Sequence, residues 1–266
     1  MRVSPILILI ALATLPTSLR AGRQTQHSEY TLVLQSSDLP EKDRQDILKN
    51  IDVSRCPLEA ANEIVLQKAR DLGYLQAQVE EQRQESNNHV QVTENIKAGI
   101  RYRLGTINVV KATVFTPDHL RREVPIAPGD VASRSEIVSG LERIRTLYGS
   151  KGYVNTVIVP VVTFDSRHGL VDFTFEVDEG RPSRLGELRL DGVEPYPGAA
   201  KQLTASWAPL REQLFNPSVI DKWLQANRLS CPSCTWQRNL SFIHRNVSGS
   251  TDLLDVTLEF PPHPLQ

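Results

Sequence analysis

An internal repeat narrows the possible folds more than any other feature of the chain. IKAGIRYRLGTINV, starting at Ile96, and VDEGRPSRLGELRL, starting at Val177, align at a constant offset of 81 residues. Gly99 falls on Gly180, and Arg103-Leu104-Gly105 falls on Arg184-Leu185-Gly186. LVDFTFEV from Leu170 matches LLDVTLEF from Leu253 in chemical type at every position. Upstream, Leu72-Gly73-Tyr74 matches Lys151-Gly152-Tyr153, in each case where a helical pattern gives way to a strand pattern. Units of about 80 residues therefore recur three times, over 28–99, 103–180 and 184–261.

The middle unit shows the internal order best. A strand is predicted over Gly105–Val114. Thr116-Pro117-Asp118 reads as an N-cap with proline at the first helical position, opening a short helix that runs to Val124. Ser133-Arg134-Ser135-Glu136 is a capping box. Behind it Ile137, Leu141, Ile144 and Tyr148 form one helical stripe. Two strands follow, Tyr153–Phe164 and Leu170–Val177, joined by the turn-rich DSRHG. In the second of them Val171, Phe173, Phe175 and Val177 alternate with polar residues, the pattern of a sheet buried on one face. The unit is β-α-α-β-β, and the fold class is α+β: three tandem two-layer domains, each a three-stranded sheet covered by two helices.

The first unit follows the same plan, with strands over Tyr30–Gln35, Leu75–Gln82 and His89–Ile96 and helices over Leu39–Ile51 and Pro57–Leu72. Glu94 stands where the middle unit has Phe175, so a weaker core is expected. The third unit diverges. An irregular stretch, PYPGAAKQLTASWAPLREQLF, takes the place of the first helix. Asn216-Pro217 caps the second, whose apolar face is Val219, Ile220, Trp223 and Leu224. The Gly-Tyr signal is missing there, and Cys231-Pro-Ser-Cys234 takes its place.

The net charge of -1 excludes a global basic field for nucleic acid or anionic lipid, and 6% aromatic residues argue against base-stacking platforms. At the N-terminus, Met1-Arg2 precedes the apolar SPILILIALATLPT and then SLRAGRQ, the parts of a secretory signal over residues 1–21. Cleavage is expected after Ala21, with Ser18 an alternative site; an uncleaved anchor is the competing reading. The apolar run is short against the ~20 residues of a membrane span. Export would place the mature chain in an oxidising compartment.

The helix ending LYGSKGYVNTVIVPVV and the closing VDFTFEVDEGRPSRLG, together with the head-to-tail layout, resemble the POTRA (polypeptide-transport-associated) domain. The resemblance covers nearly the whole mature chain. It implies the periplasmic region of outer-membrane assembly factors of the BamA and TamA types. No room for a β-barrel follows the third unit before Gln266, so a separate barrel protein is the expected partner, with a truncated reading frame the other possibility. The expected role is a non-enzymatic scaffold or chaperone-like arm that binds unfolded or extended outer-membrane and secreted polypeptides. The expected location is the periplasm, in association with the outer membrane. No cofactor, metal, small-molecule substrate or nucleic-acid partner is expected.

The resemblance also implies that the second strand of each unit lies on a sheet edge, where an extended client can add as a further strand. The candidate site is Val154, Thr156, Val157, Ile158, Val159, Pro160, Val161 and Val162. Pro160 fits an edge because proline has no N–H to donate to a ladder. Thr156, Ile158, Val162 and Phe164 should share one face, leaving Val157, Val159 and Val161 on the wet one. The competing reading is that these valines pack on a neighbouring unit. Gln76–Glu81 is a poorer, acidic edge, and Thr235–Leu240 an intermediate one.

Other chemistry has weaker signals. Cys231 and Cys234 suit a local disulfide; a thiol-active redox site is the alternative, and a zinc site lacks ligands. Cys56 reads as a buried apolar residue. A protein of the divisome type, held by an uncleaved N-terminal segment, is a further alternative. Asp165-Ser166-Arg167-His168 contains three triad residue types, but consecutive turn residues cannot adopt a triad's geometry. Arg121-Arg122 and Arg143/Arg145 read as solvated helix faces.

Overall fold

The structure is a computed structural model. It describes residues 30–260 except 53–56, 87–88, 195, 197, 229, 231–233 and 246–251, and for 86, 89 and 236–245 the backbone alone. The expected leader, Cys56 and Cys231 lie outside the described residues. Strands and helices recur three times in one order. The first repeat is β1 (Tyr30–Gln35), α1 (Glu41–Lys49), α2 (Ala61–Asp71), β2 (Gln78–Ser86) and β3 (His89–Lys97). The second is β4 (Arg103–Val110), α3 (Pro117–Arg122), α4 (Arg134–Ser150), β5 (Val157–Asp165) and β6 (Leu170–Asp178). The third is β7 (Ser183–Asp191), α5 (Ala199–Trp207), α6 (Pro217–Ala226), β8 (Thr235–Arg245) and β9 (Asp252–Glu259).

Each repeat forms its own three-stranded sheet, ordered β1-β3-β2, β4-β6-β5 and β7-β9-β8. The last strand is central in every case, so the second strand is always an edge. β1, β4 and β7 run parallel to their central strands, and β2 and β8 antiparallel to theirs. A parallel neighbour requires a crossover, which the two helices supply. By internal packing the chain divides into two compact units: 1–110 with 117–141 and 159–176, and 111–116 with 142–158 and 177–266.

In the first unit, the core of the first repeat gathers Leu34, Ile47, Val65, Ala69, Val92 and Ile96. β4 carries a β-bulge between Leu104 and Ile107. The Asp172 carboxylate accepts the Thr106 N–H (2.6 Å) and the Thr106 hydroxyl (2.8 Å), pairing the backbone that the bulge frees. A Cβ at Gly105 would overlap the same carboxylate, which explains the glycine. In the second unit the device repeats. β7 is bulged between Leu185 and Leu188, the Asp255 carboxylate accepts the Glu187 N–H (2.9 Å), and Gly186 lies against it. The first repeat has neither the glycine nor the aspartate, and its β1–β3 register runs without a shift. The repeated Arg-Leu-Gly is thus half of a clamp whose other half is the aspartate of LVD and LLD.

Glycines 73 and 152 join successive repeats. The Tyr102 N–H donates to the Gly73 carbonyl (2.9 Å), and the Ser183 N–H donates to the Gly152 carbonyl (2.8 Å). The Tyr102 and Ser183 carbonyls then accept from Ala132 (3.1 Å) and Phe215 (2.9 Å) in the loops before α4 and α6. Gly73 and Gly152 hold φ of 93° and 87°, and an added Cβ at Gly73 would sit 2.8 Å from the Tyr102 carbonyl oxygen. The Gly-Tyr signal therefore both ends a helix and docks the next repeat.

Several boundaries differ from expectation. β5 starts at Val157 rather than Tyr153, because Gly152–Thr156 turns: the Val154 N–H donates to the Gly152 carbonyl (3.0 Å) and the Thr156 hydroxyl to the Tyr153 carbonyl (3.0 Å). β2 starts at Gln78 because Ala77 closes a turn onto Tyr74. β4 ends at Val110, where Lys111 takes a φ of 64°. The third repeat does have a first helix: Ala199, Leu203 and Trp207, spaced by four, bury one face of α5. The expected capping residues are in place. The Asn216 side chain accepts the Ser218 N–H (2.9 Å), and Ser133 stands ahead of α4.

Gly99 has φ of 70° but open space around it, so Gly99→Ala meets only the left-handed backbone cost of about 1–2 kcal/mol. Gly73→Ala meets that cost plus a collision with the Tyr102 backbone. In urea denaturation of the two variants, Gly73→Ala should lose at least about twice the stability that Gly99→Ala loses.

Candidate functional site

β5 lies at the free edge of the middle sheet and alternates strongly at its start. Ile158 is buried, whereas Val157 is 53% and Val159 45% exposed, among the most exposed large apolar residues described. Val157 and Val159 are therefore where the sequence placed them. Val161 corrects the expectation: it is half-buried, as are Pro160 and Val162, because the outward alternation fades along the strand. Val154 and Thr156 are further corrections. Val154 precedes the strand and packs against the core of the third repeat, the fate the competing reading assigned to the edge valines. The Thr156 hydroxyl also lies within hydrogen-bonding distance of the Glu179 carbonyl (3.2 Å). What remains of the candidate edge is Val157–Val162.

Each end of β5 is anchored. Ahead of it, the Tyr148 ring meets Phe115 and Tyr153 edge-to-face, at 5.0 and 6.2 Å between centroids. The Tyr148 hydroxyl donates to the Glu179 carboxylate (2.8 Å). Burial and this bond to an anion push the Tyr148 phenol well above its ordinary value. Glu179 also accepts the backbone N–H groups of Thr113 (2.7 Å) and Val114 (2.8 Å) and the Thr113 hydroxyl. Burial pushes the Glu179 carboxyl up, but the bonds from Thr113, Val114 and Tyr148 outweigh it and hold the group below its usual range. At the far end the Phe164 ring packs against Tyr102 at a tilt of 54°, 4.8 Å between centroids, and the Tyr102 hydroxyl lies 3.1 Å from that of Ser166. Asp165 closes the following turn by accepting the N–H groups of Arg167 (3.1 Å) and His168 (3.2 Å). The Asp-Ser-Arg-His stretch is accordingly a hairpin turn.

Sequence reasoning missed these anchors, although Glu179-Gly180 stood in the quoted repeat. The first repeat solves the same closure with the donor and acceptor sides exchanged. There Asp38, in the loop after β1, accepts the N–H groups of Ala98 (3.0 Å) and Gly99 (2.9 Å) after β3. Aligning the acidic residues would not have found this, because they sit on opposite sides of the joint.

The other second strands make different edges. β2 presents Glu80, Gln82 and Gln84 outward, the polar edge that was expected. The side chains of Trp236–Arg245 in β8 lie outside the described residues. A groove of about 400 Å³ runs beside β4, lined by Ile107, Val109, Val110, Pro117 and Arg121, and does not touch β5. Cys234 is disulfide-bonded. Among the described residues no group of three His, Cys, Asp or Glu could hold a metal, and no helix is long and apolar enough to cross a membrane.

Residues 102–180 match the family model POTRA, described as surface antigen variable number repeat. The middle repeat is a POTRA domain. The POTRA3-5 crystal structure of Haemophilus influenzae BamA superposes with a TM-score of 0.65 at 16% identity, covering 88% of this chain and 95% of that one. The chain therefore has the fold of POTRA domains in tandem. BamA from Haemophilus ducreyi lacking POTRA domains 1-3 matches 60% of this chain at 13% identity and a TM-score of 0.45. This chain spans only 30% of that one. POTRA1-3 of the periplasmic domain of Omp85 from Anabaena is 14% identical over 88% of this chain and 95% of that one, with a TM-score of 0.36.

Four donors converge on Glu179, so Glu179→Ala should cost about 2–3 kcal/mol at pH 7. Because the folded carboxyl sits below its ordinary value, its contribution is present at neutral pH and lost as pH falls through the folded value. Urea denaturation of wild type and Glu179→Ala from pH 7 to pH 3 should show the gap between them narrowing.

Proposed function

We propose that this chain is an exported, periplasmic, non-enzymatic arm for polypeptides in outer-membrane protein assembly or transport. Its middle POTRA domain would hold extended clients by strand addition along β5, and it would work beside an outer-membrane β-barrel protein. The observation that carries this reading is an edge strand that stays both apolar and open. Val157 and Val159 face solvent on a strand whose ends are anchored and whose outer side has no neighbour in the sheet. Soluble proteins generally protect such edges with charge, bulges or covering loops. β4 and β7 have bulges and β2 is acidic, whereas the outer side of β5 presents Val157 and Val159 ahead of Pro160.

The physics suits unfolded clients of varied sequence. Backbone hydrogen bonds supply sequence-independent affinity, and cross-strand contacts with Val157 and Val159 add about 0.2–1 kcal/mol each. A client with apolar side chains at alternate positions, the pattern of an outer-membrane β-strand, places one row of them beside these valines. Pro160 removes one donor from the edge and limits runaway pairing. The fold of the BamA POTRA3-5 structure and the signal-like N-terminus support the setting.

The test uses a fluorescein-labelled peptide with the alternating pattern of an outer-membrane strand, followed by anisotropy. Val157→Lys with Val159→Lys should weaken binding at least tenfold without lowering the melting temperature. N-methylation of alternate peptide nitrogens should abolish it. A methylated peptide that binds as tightly as the plain one would show that strand addition is wrong.

A further inference from the structure

The first repeat contains a buried carboxylate at a core position that is apolar in its two relatives. Glu94 lies on the core face of β3 between Val92 and Ile96, all three buried. Phe175 and Leu258 occupy the corresponding places in β6 and β9. Glu94 is 0% exposed, and neither carboxylate oxygen has a hydrogen-bond partner. Its register partner across the antiparallel pair is Glu81 of β2, and Leu34 of β1 stands on its other side. Ile47 of α1 and Val65 and Ala69 of α2 belong to the same apolar cluster. The charged groups that act on Glu94 are both on β2: Glu81 against ionisation, and Arg83, already paired with Glu81, in its favour. Glu59, ahead of α2, acts on Arg83 in turn.

We propose that the first repeat is a proton-controlled module, closed while Glu94 is protonated and loosened at the β2 edge when Glu94 ionises. A neutral carboxyl is tolerated in an apolar core at modest cost. An anion there lacks both solvent and a partner and faces a second carboxylate directly opposite. Burial is the main cause that lifts the Glu94 carboxyl to about 7; Glu81 adds to it by its charge and as an acceptor for the protonated form, and the charge of Arg83 opposes it. Of the two edge strands β2 yields first, because β1 buries Tyr30 and Leu34 and β2 has little to match them. Past Val79 the residues on the same face of the strand are Glu81, Arg83 and Glu85, of which Arg83 and Glu85 are exposed, so little apolar burial holds it.

The direction of the pH dependence follows. Folding raises the affinity of Glu94 for its proton, so the closed state is favoured at low pH. That advantage declines as pH rises from the ordinary glutamate value through the folded one. Between pH 5.5 and pH 8 the opening equilibrium should shift by roughly 30-fold, from linkage with values of 4.5 and about 7.

Hydrogen–deuterium exchange of the full chain, corrected for intrinsic rates, tests this at amides of β2 and β3, with β4 and β6 as internal controls. Wild type should lose tens-fold protection in 78–97 from pH 5.5 to pH 8 while the controls hold. Glu94→Gln should remove the dependence, and Glu94→Leu, the residue type of the third repeat, serves if the amide does not fold. Glu81→Gln should keep the dependence but move its midpoint to lower pH. Protection in wild type that is flat with pH, or an unchanged pH dependence in both Glu94 variants, overturns the proposal. A midpoint unmoved in Glu81→Gln overturns the carboxylate pair on which it rests.

Discussion

The rest of the architecture depends on one backbone hydrogen bond made twice, from the first residue of a repeat to the glycine carbonyl behind the previous repeat's second helix. Tyr102 makes it to Gly73 and Ser183 makes it to Gly152. The bond sets where the next first strand begins, and the same residue's carbonyl then holds the loop that leads into the next second helix. Only glycine serves, since the turn needs a positive φ and the next chain segment lies where a Cβ would be. At the first joint the coupling extends further. The Asp71 carboxylate accepts the Ser135 N–H at the start of α4 (2.8 Å), and the Tyr102 hydroxyl donates to Gln76 (2.7 Å).

Within this common frame the repeats diverge at a few positions, and each divergence has a physical consequence. A glycine facing an aspartate bulges β4 and β7, and β1 has neither residue and stays regular. Valines stand at the outer side of β5 where β2 has glutamate and glutamine, so that edge lacks the polar protection of β2. Glutamate replaces phenylalanine in the core of the first repeat, which exchanges packing energy for a titratable group. One scaffold thereby provides an open edge in its second copy and a proton-sensitive core in its first.

The sequence revealed the order of elements and the buried stripes because both are periodic. Ile137, Leu141, Ile144 and Tyr148 are buried, as are Val171, Phe173, Phe175 and Val177. It misjudged where β5 begins, since Tyr153–Thr156 carries strand-like residues that a turn recruits for other contacts. It also passed over α5, whose apolar residues lie four apart within a stretch interrupted by proline and glycine.

By itself, then, the sequence determined three tandem copies, the β-α-α-β-β order of the first two, the buried face of β6 and the carboxylate misplaced in the first core. These follow from local spacing, which the chain carries wherever it folds. Tertiary structure alone decided that Val154 serves the third repeat and not the edge, that Glu179 anchors the base of β5, and that Glu94 stands opposite Glu81 without a partner. Each depends on which distant segment arrives beside a residue, and spacing along the chain does not encode that. Pairing across a sheet and contact across a joint do.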